Sequence, residues 1–258
     1  MSATARGTLW LVPNALDLGV AGEAMPLDRV LGRDVVERAA SLTHWAVEHA
    51  KSARAFLKRV QACMPLAAPL PAIDIRELPR APKDGRDAPP TAAWEALLAP
   101  LHSGHDLGLL SEAGLPAVAD PGSALVAMAH AAGLRVVPLA GPSSITLALA
   151  ASGLHGQSFA FVGYLPTDAA ERAARVRALE AHSRRERQTQ IAIETPYRNA
   201  ALMQGLLAAL QPTTRLAVAC GVTVDGGWCR MATVQHWRSA PLAFERKDLP
   251  AVFLWLAA

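Results

Sequence analysis

Short aliphatic runs alternate with Ala- and Leu-rich helical stretches through most of the chain, and no other feature constrains the fold so tightly. A run of four to six apolar residues offers no face to water, so it reads as a strand covered on both sides. Repeated strand–helix units supply the crossovers that a parallel-rich sheet requires. In the first half, strands are predicted at residues 9–12, 45–47, 73–78, 107–111 and 136–139, with helices near 27–42, 52–62, 91–102 and 121–132. A second series predicts strands at 159–164, 191–194, 216–219 and 251–256, and helices at 168–182 and 198–210. After Cys220 the pattern shortens around Gly226 and Gly227, which predicts an antiparallel hairpin near 231–236. The fold class is α/β, with two α/β domains of parallel-rich sheet at residues 1–153 and 154–258. Helix 144–152 and Gly153 form the expected connector.

Composition narrows the function classes. With 258 residues, 52% hydrophobic and 18% charged, the chain builds cores and is not a disordered polymer. Its longest apolar candidate, residues 249–258, is far short of the roughly 20 residues of a membrane span. The apolar stretch 9–12 is stopped by Pro13, unlike a secretory leader. A cytoplasmic protein without a membrane partner is expected. Cys63, Cys220 and Cys229 are too scattered for a disulfide framework, which fits a reducing compartment. No His-Glu-x-x-His or Cys-x-x-Cys occurs, and His102 and His105 merely flank Gly104, so no metal is expected.

Charge is uneven. Residues 1–153 carry 13 Lys and Arg against 14 Asp and Glu, whereas residues 154–258 carry 12 against 8. Six arginines (172, 175, 177, 184, 185, 187) cluster in 171–187. That run reads either as a solvated helix face or as a surface that meets a polyanion such as RNA. Seven prolines between residues 65 and 90 interrupt the βα rhythm and predict an exposed loop, chiefly 79–90, around the strand near 73–78.

Three strand-end loops could carry chemistry, because open parallel sheets bind ligands beyond the carboxyl ends of their strands. The first runs from Ser111 through Glu112, Gly114, Leu115, Pro116 and Val118 to Asp120-Pro121-Gly122. Asp120 is expected as N-cap and Pro121 as the first helical residue of the next helix. The second is Gly141-Pro142-Ser143-Ser144, where either serine could cap a helix or bond a ligand. The third is Glu194-Thr195-Pro196-Tyr197-Arg198. Neither a G-x-G-x-x-G fingerprint nor a G-x-x-x-x-G-K-[ST] phosphate loop occurs, which argues against nicotinamide dinucleotides and ATP.

Taken together, Ser111-Glu112-Ala113-Gly114-Leu115-Pro116, Asp120-Pro121-Gly122, Gly141-Pro142-Ser143-Ser144, Ser152-Gly153-Leu154 and Gly163-Tyr164-Leu165-Pro166 resemble the tetrapyrrole-methylase-like (class III) S-adenosylmethionine-dependent methyltransferases. The opening Gly7-Thr8-Leu9-Trp10-Leu11-Val12-Pro13 is similar to that family's first strand, and Glu194-Thr195-Pro196-Tyr197-Arg198 to its Glu-Ser-x-His-Arg. Within the family, the likeness is to the branch that 2′-O-methylates a cytidine of small-subunit ribosomal RNA.

The resemblance implies two α/β domains with S-adenosylmethionine in a cleft between them, and a homodimer. It carries cofactor contacts onto Pro13, Glu112, Gly114, Leu115, Pro116, Val118, Ser143, Ser144 and Tyr164. Glu194, as base or orienting group, and Arg198 are the candidate catalytic pair. The chain departs from the family on the acceptor side. Glu48-His49-Ala50-Lys51 stands where Glu-Asp-Thr-Arg is usual, and Val222-Thr223-Val224-Asp225-Gly226-Gly227 where Leu-Thr-Lys-x-x-Glu is usual. RNA, by 2′-O-methylation of a ribosomal-RNA-like substrate, is the expected acceptor, and a tetrapyrrole, another small molecule or a protein is the alternative. A non-catalytic S-adenosylmethionine-binding protein and a binder of an unrelated nucleotide are the alternatives from other classes.

Overall fold

In the computed structural model, which describes residues 6–17, 26–79, 91–240, 244 and 246–258, the alternating pattern resolves into two five-stranded sheets. The first contains β1 (Thr8–Val12), β2 (His44–Val47), β3 (Asp74–Glu77), β4 (Leu107–Leu110) and β5 (Arg135–Pro138), all parallel, in the order β3-β2-β4-β1-β5. Both faces are covered, as apolar strands demand. Val12, Trp45, Val47 and Leu110 pack under α1 (Arg33–Ser41) and α2 (Ala50–Cys63). Leu9, Ala46, Leu107 and Leu109 pack under α3 (Thr91–His102) and α4 (Ser123–Ala131). Gly108 makes room for the buried Trp45, whose ring would lie 2.7 Å from a Cβ added there.

The order of connections positions the site. α1 and α2 link β1, β2 and β3 across one face, whereas α3 and α4 link β3, β4 and β5 across the other. β1 and β4 are neighbours, so the loops leaving them diverge toward opposite faces. Divergence of that kind opens a crevice at the strand ends, the topological switch point.

The second sheet contains β6 (Phe159–Tyr164), β7 (Thr189–Glu194), β8 (Arg215–Cys220), β9 (Trp228–Thr233) and β10 (Ala251–Leu256), in the order β6-β7-β10-β8-β9. β6 and β7 pair parallel; β10 runs against both β7 and β8, and β9 against β8. Among the described residues, parallel ladders thus predominate, and the antiparallel ladders lie in this sheet. One face is covered by α6 (Ala169–Glu186), α7 (Asn199–Ala209) and α8 (Val234–Ser239). The other carries α5 (Ser144–Ser152), through Ile145, Ala148 and Leu149.

The described residues divide into two compact units, the second beginning at Ser143. That division lies one helix before the expected 153/154 boundary, because α5 buries its apolar side on the second sheet. The predicted hairpin also shifts. β8 and β9 form it, but residues 234–236 are helical, not extended. Thr233 caps that helix by accepting from His236 N, and Val234 and Trp237, three apart, bury one side of it. The predicted loop lies outside the described residues from position 80 to 90. No helix among the described residues is long and apolar enough to cross a membrane.

Candidate functional site

At the switch point the loops after β1 and β4 are stitched by backbone. Asn14 N donates to Gly114 O at 2.9 Å, and Gly114 N to Asn14 O at 3.1 Å. The buried Asn14 side chain reinforces the bridge, its Nδ2 donating to the carbonyls of Glu112 (2.9 Å) and Ser111 (3.4 Å) while its Oδ1 accepts from Ala15 N. Gly114 is in the left-handed region (φ +70°), where a Cβ would lie 3.0 Å from Leu16 and 3.2 Å from the Pro142 carbonyl. Gly141 presses on Pro13 so closely that a Cβ would stand 2.2 Å from the Pro13 Cβ. The loop after β5 is thereby the third wall of the same place.

Past Gly114, the chain turns left-handed at Ala117 (φ 64°) and Ala119 (φ 65°). For alanine that conformation costs roughly 1–2 kcal/mol per residue. Strain held by surrounding contacts concentrates at ligand sites. Between them and the glycine, Leu115 O accepts from Val118 N at 3.4 Å, Pro116 is buried and the Val118 side chain is exposed.

Beside this edge sits a carboxylate group. Glu48 and His49 leave β2, and Glu112 follows β4. Glu112 N donates to Glu48 Oε2 at 3.3 Å, Ser52 Oγ donates to Glu112 Oε1, and His49 Nδ1 lies 3.4 Å from that oxygen. Glu48, His49 and Glu112 bring one ligand atom each within 4.8 Å of one another, but the Glu112 oxygen is already engaged by Ser52 and His49. Asp120 does not cap α4. The cap position is Gly122, whose φ of 129° suits glycine, and α4 starts at Ser123. Burial, and then the nearby charges of Glu48 and Glu112, push the Asp120 carboxyl up to about 7.

The second unit opens with the two serines. Ser143 occupies the N-cap position of α5, yet its hydroxyl makes no cap bond; its carbonyl accepts from Thr146 Oγ1 and Leu147 N. Ser144 is the first residue of the helix and is half-buried. In the first unit, the Ser111 hydroxyl is buried and has no partner among the described residues.

At the shared end of β6 and β7, Tyr164 pairs with Ile193, and Glu194 is the last residue of its strand. Pro196 starts a single 3-10 turn, Pro196–Arg198, that returns Arg198 to Glu194. Glu194 Oε1 accepts from Thr195 N (2.7 Å), Thr195 Oγ1 (3.1 Å), Arg198 Nε (3.0 Å) and Arg198 Nη2 (2.8 Å). Four donors on one carboxylate oxygen make Glu194 an anchor for Arg198. The hydrogen bond from Arg198 to Glu194 raises the guanidinium pKa further, and the group lies 5.8 Å from the Tyr197 ring centroid. Tyr164 and Tyr197, the chain's two tyrosines, are 56% and 79% exposed.

The structure therefore groups Pro13, Glu112 and Gly114 on one sheet edge, and Tyr164, Glu194 and Arg198 on another. Sequence reasoning did not single out Asn14 or Ser52, and it noted Glu48 and His49 only as a departure from the family pattern. An asparagine directly after a strand-ending proline was a usable signal for the first.

Comparison with known proteins agrees with this architecture. The chain matches the family model of the Tetrapyrrole (Corrin/Porphyrin) Methylases over residues 33–235. A ribosomal RNA small subunit methyltransferase I of Mesorhizobium japonicum is 39% identical over 131 residues, 51% of this chain and 43% of that protein. The Pseudomonas aeruginosa protein of the same name is 43% identical over 98 residues, 38% of this chain and 33% of its own length. The matches thus span less than half of these relatives. Among solved structures, the methyltransferase CobJ superposes with a TM-score of 0.57 at 15% identity, covering 98% of this chain and 95% of CobJ. The uroporphyrin III C-methyl transferase of Thermus thermophilus gives 0.54 at 14% identity, covering 97% of each chain.

Proposed function

The chain belongs to the tetrapyrrole (corrin/porphyrin) methylase family, and from that premise we infer that it transfers a methyl group from S-adenosylmethionine to RNA, by 2′-O-methylation of a ribosomal-RNA-like acceptor. The observation that carries the cofactor side is the backbone cradle of Asn14, Gly114 and Gly141 at the switch point, where added Cβ atoms would collide. The names of the relatives support the RNA acceptor.

Pro13, Glu112, Gly114, Leu115, Pro116, Val118, Ser143 and Ser144 are the residues to hold the cofactor, with Tyr164 as a further contact. The unpartnered Ser111 hydroxyl and the carboxylates of Glu48, Glu112 and Asp120 suit a ligand that brings polar groups and positive charge. S-adenosylmethionine, when bound, supplies an electrophilic methyl group on a sulfonium. The protein's task is alignment, because in-line displacement rewards fixed geometry. Strained backbone and glycine contacts fix that geometry without side-chain entropy. On the second sheet, Glu194 takes the Nε and Nη2 donors of Arg198 and so positions its Nη1 side for an acceptor phosphate. The reading includes a cytoplasmic homodimer, with a first domain for the cofactor and a second for the acceptor.

Transfer of labelled methyl from S-adenosylmethionine to ribosomal RNA, followed by nucleoside mapping, tests it. A ribose-methylated nucleoside is the expected product. Label in a tetrapyrrole or another small molecule, or none in any fraction despite cofactor binding, would overturn the RNA acceptor.

A further inference from the structure

The arginine-rich run of α6 divides once its contacts are known. Arg172 folds back, Nη1 donating to the carbonyls of Pro166 and Thr167, and Arg185 pairs with Glu186. Arg184 and Arg187 instead line a hollow of about 700 Å³ with His155, Arg215, Leu154 and Leu256. Arg184 Nε donates to Ala258 O at 3.0 Å, and His155 Nδ1 lies 2.9 Å from Arg187 O. None of the three arginines pairs with an acidic side chain among the described residues, and all three are exposed.

Complementing the C-terminal end of α6 would account for Arg184 and Arg187 alone. It does not account for Arg215, which opens β8 on a different element. Three exposed guanidiniums from two elements therefore line one hollow, beside Leu154 and Leu256. Such a concentration of positive charge attracts an anion. The position matters as well. β6, β7 and β8 run in one direction, and the hollow lies at their starting edge, a strand length of about 17 Å from Tyr164 and Glu194.

We propose that the hollow formed by His155, Arg184, Arg187 and Arg215 is a phosphate-binding site that grips the RNA backbone away from the methylated nucleotide. This rests on the RNA reading. Arginine forks match phosphate oxygens bidentately, and a contact made to phosphate orients the acceptor without reading its sequence. A grip at the far edge of the second sheet would lengthen the RNA footprint beyond one nucleotide.

The test is fluorescence anisotropy with a labelled single-stranded RNA of ~20 nucleotides over a range of salt, since each phosphate contact contributes about 0.7 to the salt slope. The variant R187Q/R215Q removes two charges and none of the hydrogen bonds described here. R175Q/R177Q removes two from the same helix outside the hollow and serves as the charge-matched control. Expected is a loss of affinity of about tenfold or more and a slope smaller by about 1.4 for the first, little change for the control, and unchanged S-adenosylmethionine binding by calorimetry for both. Equal losses in the two variants, or no loss in R187Q/R215Q, overturn the site and leave the RNA reading standing. If the unmodified chain binds no RNA, tripolyphosphate is titrated instead. Binding abolished by R187Q/R215Q would retain the phosphate site for a soluble ligand and sink the RNA reading. Binding of neither probe sinks both.

Discussion

The two sheets finish their parallel strands in different materials. The first ends in backbone: a bridge between Asn14 and Gly114, glycines against Pro13 and Pro142, and two left-handed alanines. The second ends in side chains: Glu194 holding Arg198, with Tyr164 and Tyr197 exposed. A site shaped by dihedral angles and missing Cβ atoms changes little with substitution until it fails. A site of side chains is remodelled residue by residue. The first kind of edge suits a constant cofactor and the second an acceptor that varies.

Substitutions that attack one edge and spare the other would break that contrast. The largest effect is expected from Gly141→Val, which drives a side chain into Pro13. Overpacking of this sort costs about 1–3 kcal/mol, and S-adenosylmethionine affinity by calorimetry should fall at least tenfold, on the order of 1.4 kcal/mol. Next is Asn14→Ala, which strands the carbonyls of Ser111 and Glu112 and should cost about 1–3 kcal/mol in urea denaturation. Its cofactor affinity should fall too.

Arg198→Ala works on the other edge. Methyl transfer to RNA should drop at least tenfold while cofactor affinity stays within about twofold. Equal loss of cofactor affinity would erase the distinction between the edges.

The smallest effect concerns Asp120. Its folded-state pKa of about 7 stands above the ordinary 3.8, so the unfolded chain releases that proton first. Stability is therefore full below 3.8, falls as pH rises from there through 7, and levels off above. Asp120→Asn should stabilise the free protein by about 1 kcal/mol near pH 8, a figure reduced for partial solvation, and hardly at all near pH 4. Denaturation midpoints at the two pH values check it. Weaker cofactor binding by the same variant would tie the carboxylate strain to function.

Much of the fold was legible because periodicity is local. Residues 9–12 or 107–111 announce themselves by composition, and each became a strand within one residue of expectation. Strand order was not legible. It depends on which face each helix covers, and so did the meeting of Asn14 with Gly114, a hundred positions apart. Asp120-Pro121 looked like a helix start by propensity, but Gly122 could take a dihedral that moved the start to Ser123. The hairpin near 231–236 was expected from the turn around Gly226 and Gly227, and only the Thr233 cap and the buried Trp237 decide for helix from residue 234. The loops after β1, β4 and β5 were recognised as motifs; their convergence required the sheet.

Calorimetric titration of the full chain with S-adenosylmethionine and S-adenosylhomocysteine, alongside Gly141→Val and Arg198→Ala, tests the central claim directly. The account predicts micromolar binding to the unmodified chain, its loss in Gly141→Val and its retention in Arg198→Ala. No binding by the unmodified chain, or loss in Arg198→Ala with retention in Gly141→Val, would contradict a cofactor site built from the backbone of the first sheet.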